Sequence, residues 1–172
     1  MAESDRALKT FYALLAGAVI FIYSTGRSMP EMVASHFNAE GVATGHMPRV
    51  AYLVVMLIVV LLPPVFLVIL PRIALRNPRA LINLPHREHW LAPERRAHTV
   101  AIISQQTTRF AGMLVVFLCY AHWLVVFANS SSPPTLSSGW LLAGLVVFMG
   151  LTVRWAFQLM GRFRVIEEEE DA

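Results

Sequence analysis

Acidic residues are missing from this chain where they would matter most. Eleven Asp and Glu stand against fourteen Lys and Arg, yet none of the acids falls within four long apolar runs, residues 8–26, 50–70, 110–128 and 138–160. Charged residues make up only 15% of the chain, where a soluble domain carries about 25%. Each run is long enough to cross a hydrocarbon core of ~30 Å as a helix rising ~1.5 Å per residue. Four such runs, apolar around all faces, exclude a soluble single-domain protein. The lack of acids inside them argues against proton-coupled transport by this chain alone, since that chemistry normally uses intramembrane carboxylates. Cysteine is nearly absent as well: Cys119 is the only one. A disulfide framework and a Cys-based metal site are therefore excluded, and Cys119 reads as a small buried hydrophobe rather than a reactive thiol. The sequence has no Gly-rich phosphate loop, no Ser/His/Asp set at a shared depth and no internal repeat. It assigns no catalytic residue, no metal and no cofactor, and the expectation is a non-enzymatic protein.

What is present is basic charge, and its distribution is uneven. Arg72, Arg76, Arg79, Arg87, Arg95, Arg96 and Arg109 lie between the second and third runs. The basic pI of about 9.5 needs no nucleic-acid partner, because the positive-inside bias explains that cluster. With four spans, both termini share a side with this loop. The inside set is then Arg6, Lys9, those seven, Arg154, Arg162 and Arg164, against Arg27 and Arg49 outside, twelve to two. The expected fold is an all-α membrane protein, one domain over 1–172. It has four transmembrane helices in a bundle, N-in and C-in, with a cytoplasmic interfacial segment before helix three. Its parts are an external loop at 27–49, a cytoplasmic basic loop at 71–109 and an acidic tail at 165–172.

Local signals refine that frame. The first run is too long for a signal-peptide core and lacks a small-x-small cleavage site after it, so it is expected to stay as helix one. Tyr12 and Tyr23 mark its two interfaces, and Tyr52 marks the outer boundary of helix two. Pro63-Pro64 is expected to interrupt helix two by removing donors opposite Val59 and Val60, the kink facing a neighbouring helix or water. Residues 71–92, broken by Pro71, Pro78 and Pro85, suit a segment lying on the membrane surface. There Arg72, Arg76, Arg79, Trp90, Arg95 and Arg96 are candidates for lipid-headgroup contact. Pro93 and Glu94 fit the first turn of a helix running from about 93 to 128, through span three. His122 lies two turns from the outer end of that helix, where a histidine usually bonds a neighbouring helix. Arg154 is near enough to the inner end of helix four to reach the interface.

The external segment carries the most specific pattern. Met29, Val33 and Phe37 recur at four-residue spacing as one apolar stripe, while His36, Asn38 and Glu40 alternate on a polar side. Pro30 can open a short helical turn there. Pro30-x-x-Val33-x-x-His36-Phe37-Asn38-x-x-Gly41, followed by Gly45, resembles the P-x-x-V-x-x-H-F-N/D-x-x-G segment of a bacterial integral-membrane family of unknown function. That family's domain is shared with SdpI-type immunity proteins, which protect producers from a secreted peptide toxin. The resemblance covers helix one, this loop and helix two, about 65 residues. A second stretch, Ile82-Asn83-Leu84-Pro85-His86-Arg87-Glu88-His89-Trp90-Leu91-Ala92-Pro93-Glu94-Arg95-Arg96, looks like the INxPxxxYWLAPERR segment of one branch, with His89 in place of Tyr. SdpI-type proteins carry further helices that are absent from this chain.

Three readings of His36 stay open: holding the loop closed with Asn38, contacting a polar ligand or peptide, or ligating a metal with His46 and Glu40. His86 and His89 form the only close His pair, in an arginine-rich setting that disfavours a metal. The expected function is binding or protection at the outer face of the bacterial inner membrane, with His36, Phe37 and Asn38 as candidate ligand contacts. The alternative is an accessory or structural subunit of a larger membrane complex, docking through helix faces and residues 71–109. The expected partners are the lipid bilayer and either a peptide ligand or membrane-protein subunits.

Overall fold

The computed structural model describes residues 2–74 and 87–163. In chain order the elements are α1 (Ala2–Gly26), β1 (Met32–Phe37), β2 (Ala43–Pro48), α2 (Arg49–Ala74), α3 (Arg87–Trp90), α4 (Pro93–Ala128) and α5 (Ser138–Gly161). Four helices are long and apolar enough to cross a membrane: Asp5–Gly26, Arg49–Ala74, Pro93–Ala128 and Ser138–Gly161. Arg76, Arg79, residues 82–86 of the second motif (His86 among them) and the acidic tail lie outside the described residues.

α4 is the axle of the molecule. Its 36 residues reach about 54 Å at 1.5 Å per residue, and Pro93 and Glu94 occupy its first turn as expected. Pro at that position gives up only a donor that has no partner in any helix, and Glu meets the positive end of the helix dipole. α1 lays Phe11, Leu15, Ala18 and Ile22 along α4, opposite Ala111 and Val115. α2 contributes Val60 and Val68 to the same core, with Pro64 buried between them at four-residue spacing. The interruption expected at Pro63-Pro64 is absent: α2 continues as one helix through Pro63, Pro64 and Pro71.

The expectation of a four-helix bundle needs correction. α1, α2 and α4 pack on one another, whereas α5 packs against α4 alone and buries no residue. Its contact with α4 is aromatic. Phe117 stacks on Phe148 at 4.6 Å between ring centroids and Phe110 lies 4.8 Å from Trp155. Trp155 Nε1 donates to the Gln106 carbonyl at 2.9 Å, and Tyr120 OH donates to the Trp140 carbonyl at 2.6 Å. Gly144 makes this approach possible, because a Cβ there would sit 2.1 Å from the Tyr120 ring.

The all-α expectation is also corrected. Residues 32–48 form an antiparallel hairpin, pairing Val33 with Met47 and Phe37 with Ala43, with register shifts around His36. Asn38 closes the turn: its Oδ1 accepts from the Val42 N–H at 2.8 Å, and its carbonyl accepts from Gly41 N–H at 3.0 Å. Gly41 adopts φ +82, and its carbonyl accepts from Leu136 N–H at 2.9 Å. No Cβ fits there, since it would lie 2.0 Å from the Leu136 oxygen. The helical turn that Pro30 could open does not form, whereas Met29 and Val33 of the apolar stripe do press into the bundle, packing with Tyr52. Alternating burial along β2 marks the strand period.

Candidate functional site

Two sites gather at the hairpin end of the bundle, one on its surface and one in its core. On the surface the hairpin is held by three elements. Asn129, just past the end of α4, presents its amide to β1 as a neighbouring strand would. Its Oδ1 accepts from Ala34 N–H at 2.8 Å and its Nδ2 donates to Ala34 C=O at 3.0 Å. Ala34 and Val33 are fully buried, so these bonds satisfy backbone groups that water does not reach. Ser138, at the start of α5, donates to the Ala39 carbonyl at 2.8 Å. Arg49, at the start of α2, donates from one guanidinium nitrogen to the carbonyls of Arg27 and Met29, at 3.1 and 2.7 Å.

Within that frame the three sequence-predicted ligand contacts separate. His36 is exposed, 3.0 Å from Ser35 Oγ through Nδ1, and its ring lies over Gly45. Phe37 is half-buried at the end of β1. Asn38 is committed to the turn. His46 and Glu40 are exposed, but no three His, Cys, Asp or Glu side chains come together to hold a metal among the described residues. His36, His46 and Glu40 therefore form no assembled cation site.

The core site centres on His122, which is fully buried. Its Nε2 lies 2.9 Å from Thr25 Oγ1 of α1 and its Nδ1 lies 3.0 Å from Tyr52 OH of α2. The direction of each bond follows from counting protons. Thr25 has one hydroxyl hydrogen, and it goes to the Phe21 carbonyl at 2.7 Å. Thr25 must therefore accept from His122 Nε2–H, which leaves Nδ1 to accept from Tyr52 O–H. The result is a one-way chain from Tyr52 through a neutral imidazole and Thr25 to a backbone carbonyl, with every member satisfied. Phe21 closes over the ring edge-on at 5.9 Å, and Tyr52 lies nearly parallel to it. This arrangement fixes the rotation and depth of three helices at once.

The sequence expectation for His122, a bond to a neighbouring helix, is met on two helices. Tyr52 is a correction: it is 4% exposed and points into the bundle rather than marking an interface. Thr25 and Asn129 escaped notice, although depth could have paired Thr25 and Tyr52 with His122. Thr25 is one residue from the end of α1, Tyr52 three from the start of α2 and His122 six from the end of α4, all at the hairpin end.

At the opposite end, the candidate headgroup residues are partly engaged with protein. The Arg72 guanidinium folds back on the Val68 carbonyl and reaches Thr108 Oγ1 at 3.5 Å. Trp90 Nε1 donates to the Phe163 carbonyl at 3.3 Å, its ring edge-to-face with buried Phe163, and its own carbonyl accepts from Thr99 Oγ1 at 2.7 Å. Trp90 thus ties α3 to the start of α4 and the end of α5. The Arg95 guanidinium lies against the His89 ring, and Arg96 is half-buried.

A family model described as a domain of unknown function (DUF1648) matches residues 13–62. The match runs from α1 across the hairpin into α2, and so takes in Thr25 and Tyr52 but not His122 or Asn129. No curated protein and no solved structure matches the chain.

Proposed function

We propose that this membrane-spanning chain, with its domain of unknown function, is a non-enzymatic protein of the bacterial inner membrane. In this reading it holds the 32–48 hairpin at the outer face to bind, or shield the cell from, a secreted peptide. The orientation rests on the twelve-to-two bias of basic residues. The observation that carries the reading is how firmly the hairpin is fixed. Asn129, Ser138 and Arg49 each bond its backbone or flanks, while His36, Thr44 and His46 stay exposed. A loop that only joined two helices would need no such anchoring, whereas recognition gains from a preorganised element. The resemblance to SdpI-type immunity proteins supports a peptide as the ligand. His36 and Phe37 are the contacts in this reading, and Asn38 supports them from within the turn. The test is protection of peptide-sensitive cells expressing the chain, challenged with a panel of secreted bacterial peptides. His36→Ala should reduce protection at least about tenfold, in the range of a lost polar contact of ~1.4 kcal/mol or more. Unchanged protection at normal membrane levels would remove His36 from the mechanism.

One observation favours a second reading, an accessory subunit of a larger membrane complex. α5 buries no residue, and a Cβ at Gly139, Gly150 or Gly161 would meet open space. Small residues let helices approach closely in lipid. Copurification of a partner after gentle solubilisation supports this reading, and a lone monomer counts against it.

A further inference from the structure

Because α1 and α5 both pack on α4 but not on each other, a wedge is left between them. Toward the end opposite the hairpin this wedge is a cavity of about 530 Å³, with Leu14, Gly112, Met113 and Val116 among its walls. It falls within the ~300–1,000 Å³ range of small-molecule sites. Gly112 forms part of the floor without a side chain of its own. Arg6 of α1 and Arg109 of α4 stand at this cavity, both exposed. Among the described residues neither guanidinium has a hydrogen-bond or ion-pair partner, and no Asp or Glu lines the cavity.

We infer that this cavity binds one acidic phospholipid, its phosphate held by Arg6 and Arg109 and an acyl chain lying in the wedge. The walls are mostly apolar, with Thr10, Gln105 and Thr108 also lining the cavity, and such a gap must be filled within a bilayer. Guanidinium groups are the side chains best matched to phosphate oxygens. With no carboxylate lining the cavity among the described residues to meet the ammonium of a zwitterionic headgroup, the two arginines select for net negative charge. The site is separate from the hairpin and does not depend on what the hairpin binds.

Native mass spectrometry of the full chain in detergent, with equal phosphatidylglycerol and phosphatidylcholine, tests the inference. The wild-type chain should retain one phosphatidylglycerol in preference to phosphatidylcholine. Arg6→Gln or Arg109→Gln should each reduce retention about fivefold, and the double variant about twenty-five-fold, from the usual contribution of one basic residue at an anionic lipid surface. Arg154→Gln, an exposed arginine of α5 outside the cavity, should change nothing. Equal retention of both lipids, wild-type retention by the double variant, or an equal loss with Arg154→Gln would overturn the site. Displacement by glycerol phosphate, which has the headgroup charge but no chain, would overturn the lipid assignment.

Discussion

Replacing His122 by Leu tests the three-helix node most directly. Two interhelical hydrogen bonds are lost, to Thr25 and Tyr52, at about 0.6 kcal/mol each for such bonds in membrane proteins. Their remnants differ. Thr25 keeps its bond to the Phe21 carbonyl, so it is not left without a partner. The Tyr52 hydroxyl, in a side chain only 4% exposed, has no other hydrogen-bond partner among the described residues and adds about 1–3 kcal/mol. His122→Leu should therefore destabilise the bundle by about 2–4 kcal/mol, measured by reversible unfolding in mixed micelles. Tyr52→Phe in the His122→Leu background removes the stranded hydroxyl and should recover about 1–2 kcal/mol. The double-mutant cycle isolates the coupling, expected at or above about 1 kcal/mol. Additive effects, with coupling under about 0.5 kcal/mol, would refute the Tyr52–His122 hydrogen bond as a stabilising link between α2 and α4.

Two further predictions concern the attachments of the hairpin and of α5. Asn129→Ala strands the buried N–H and C=O of Ala34, at about 2–4 kcal/mol for the pair. Amide exchange at Ala34 should accelerate about a hundredfold or more, and unchanged exchange would show that the hairpin docks without Asn129. Gly144→Val drives a side chain into the Tyr120 ring and should displace α5. Cysteines replacing the stacked pair Phe117 and Phe148 should then cross-link poorly, whereas Gly139→Val, which meets open space, should leave cross-linking intact.

How much of this was legible in the sequence differs by element. Span positions were legible because mean hydropathy over ~20 residues decides whether a helix partitions into lipid. The start of α4 was legible because Pro93 and Glu94 act through their own backbone and charge. The hairpin was not legible because a spacing of four, as in Met29, Val33 and Phe37, fits a strand as well as a helix. The decisive residues there were Asn38 and Gly41, which act through turn chemistry. His122 was recognised as needing a partner, since a polar side chain at that depth cannot be left unbonded in lipid. Which partner it takes was not written locally: Thr25 and Tyr52 lie 97 and 70 residues away.

The sequence by itself determined four membrane-spanning helices, the reach of α4 and the segments between spans that hold the polar side chains. Only the tertiary structure decided that α5 stands outside a three-helix core, that Tyr52 turns inward, and that Asn129 takes the place of a neighbouring strand beside Ala34. The physical reason is the solvent. Lipid tails are as apolar as a neighbouring helix, so hydrophobicity carries a helix into the bilayer but does not choose which face meets which partner. That choice falls to the few groups lipid cannot satisfy, His122 and the backbone of Ala34, and to the one small residue, Gly144, that lets an aromatic ring pass.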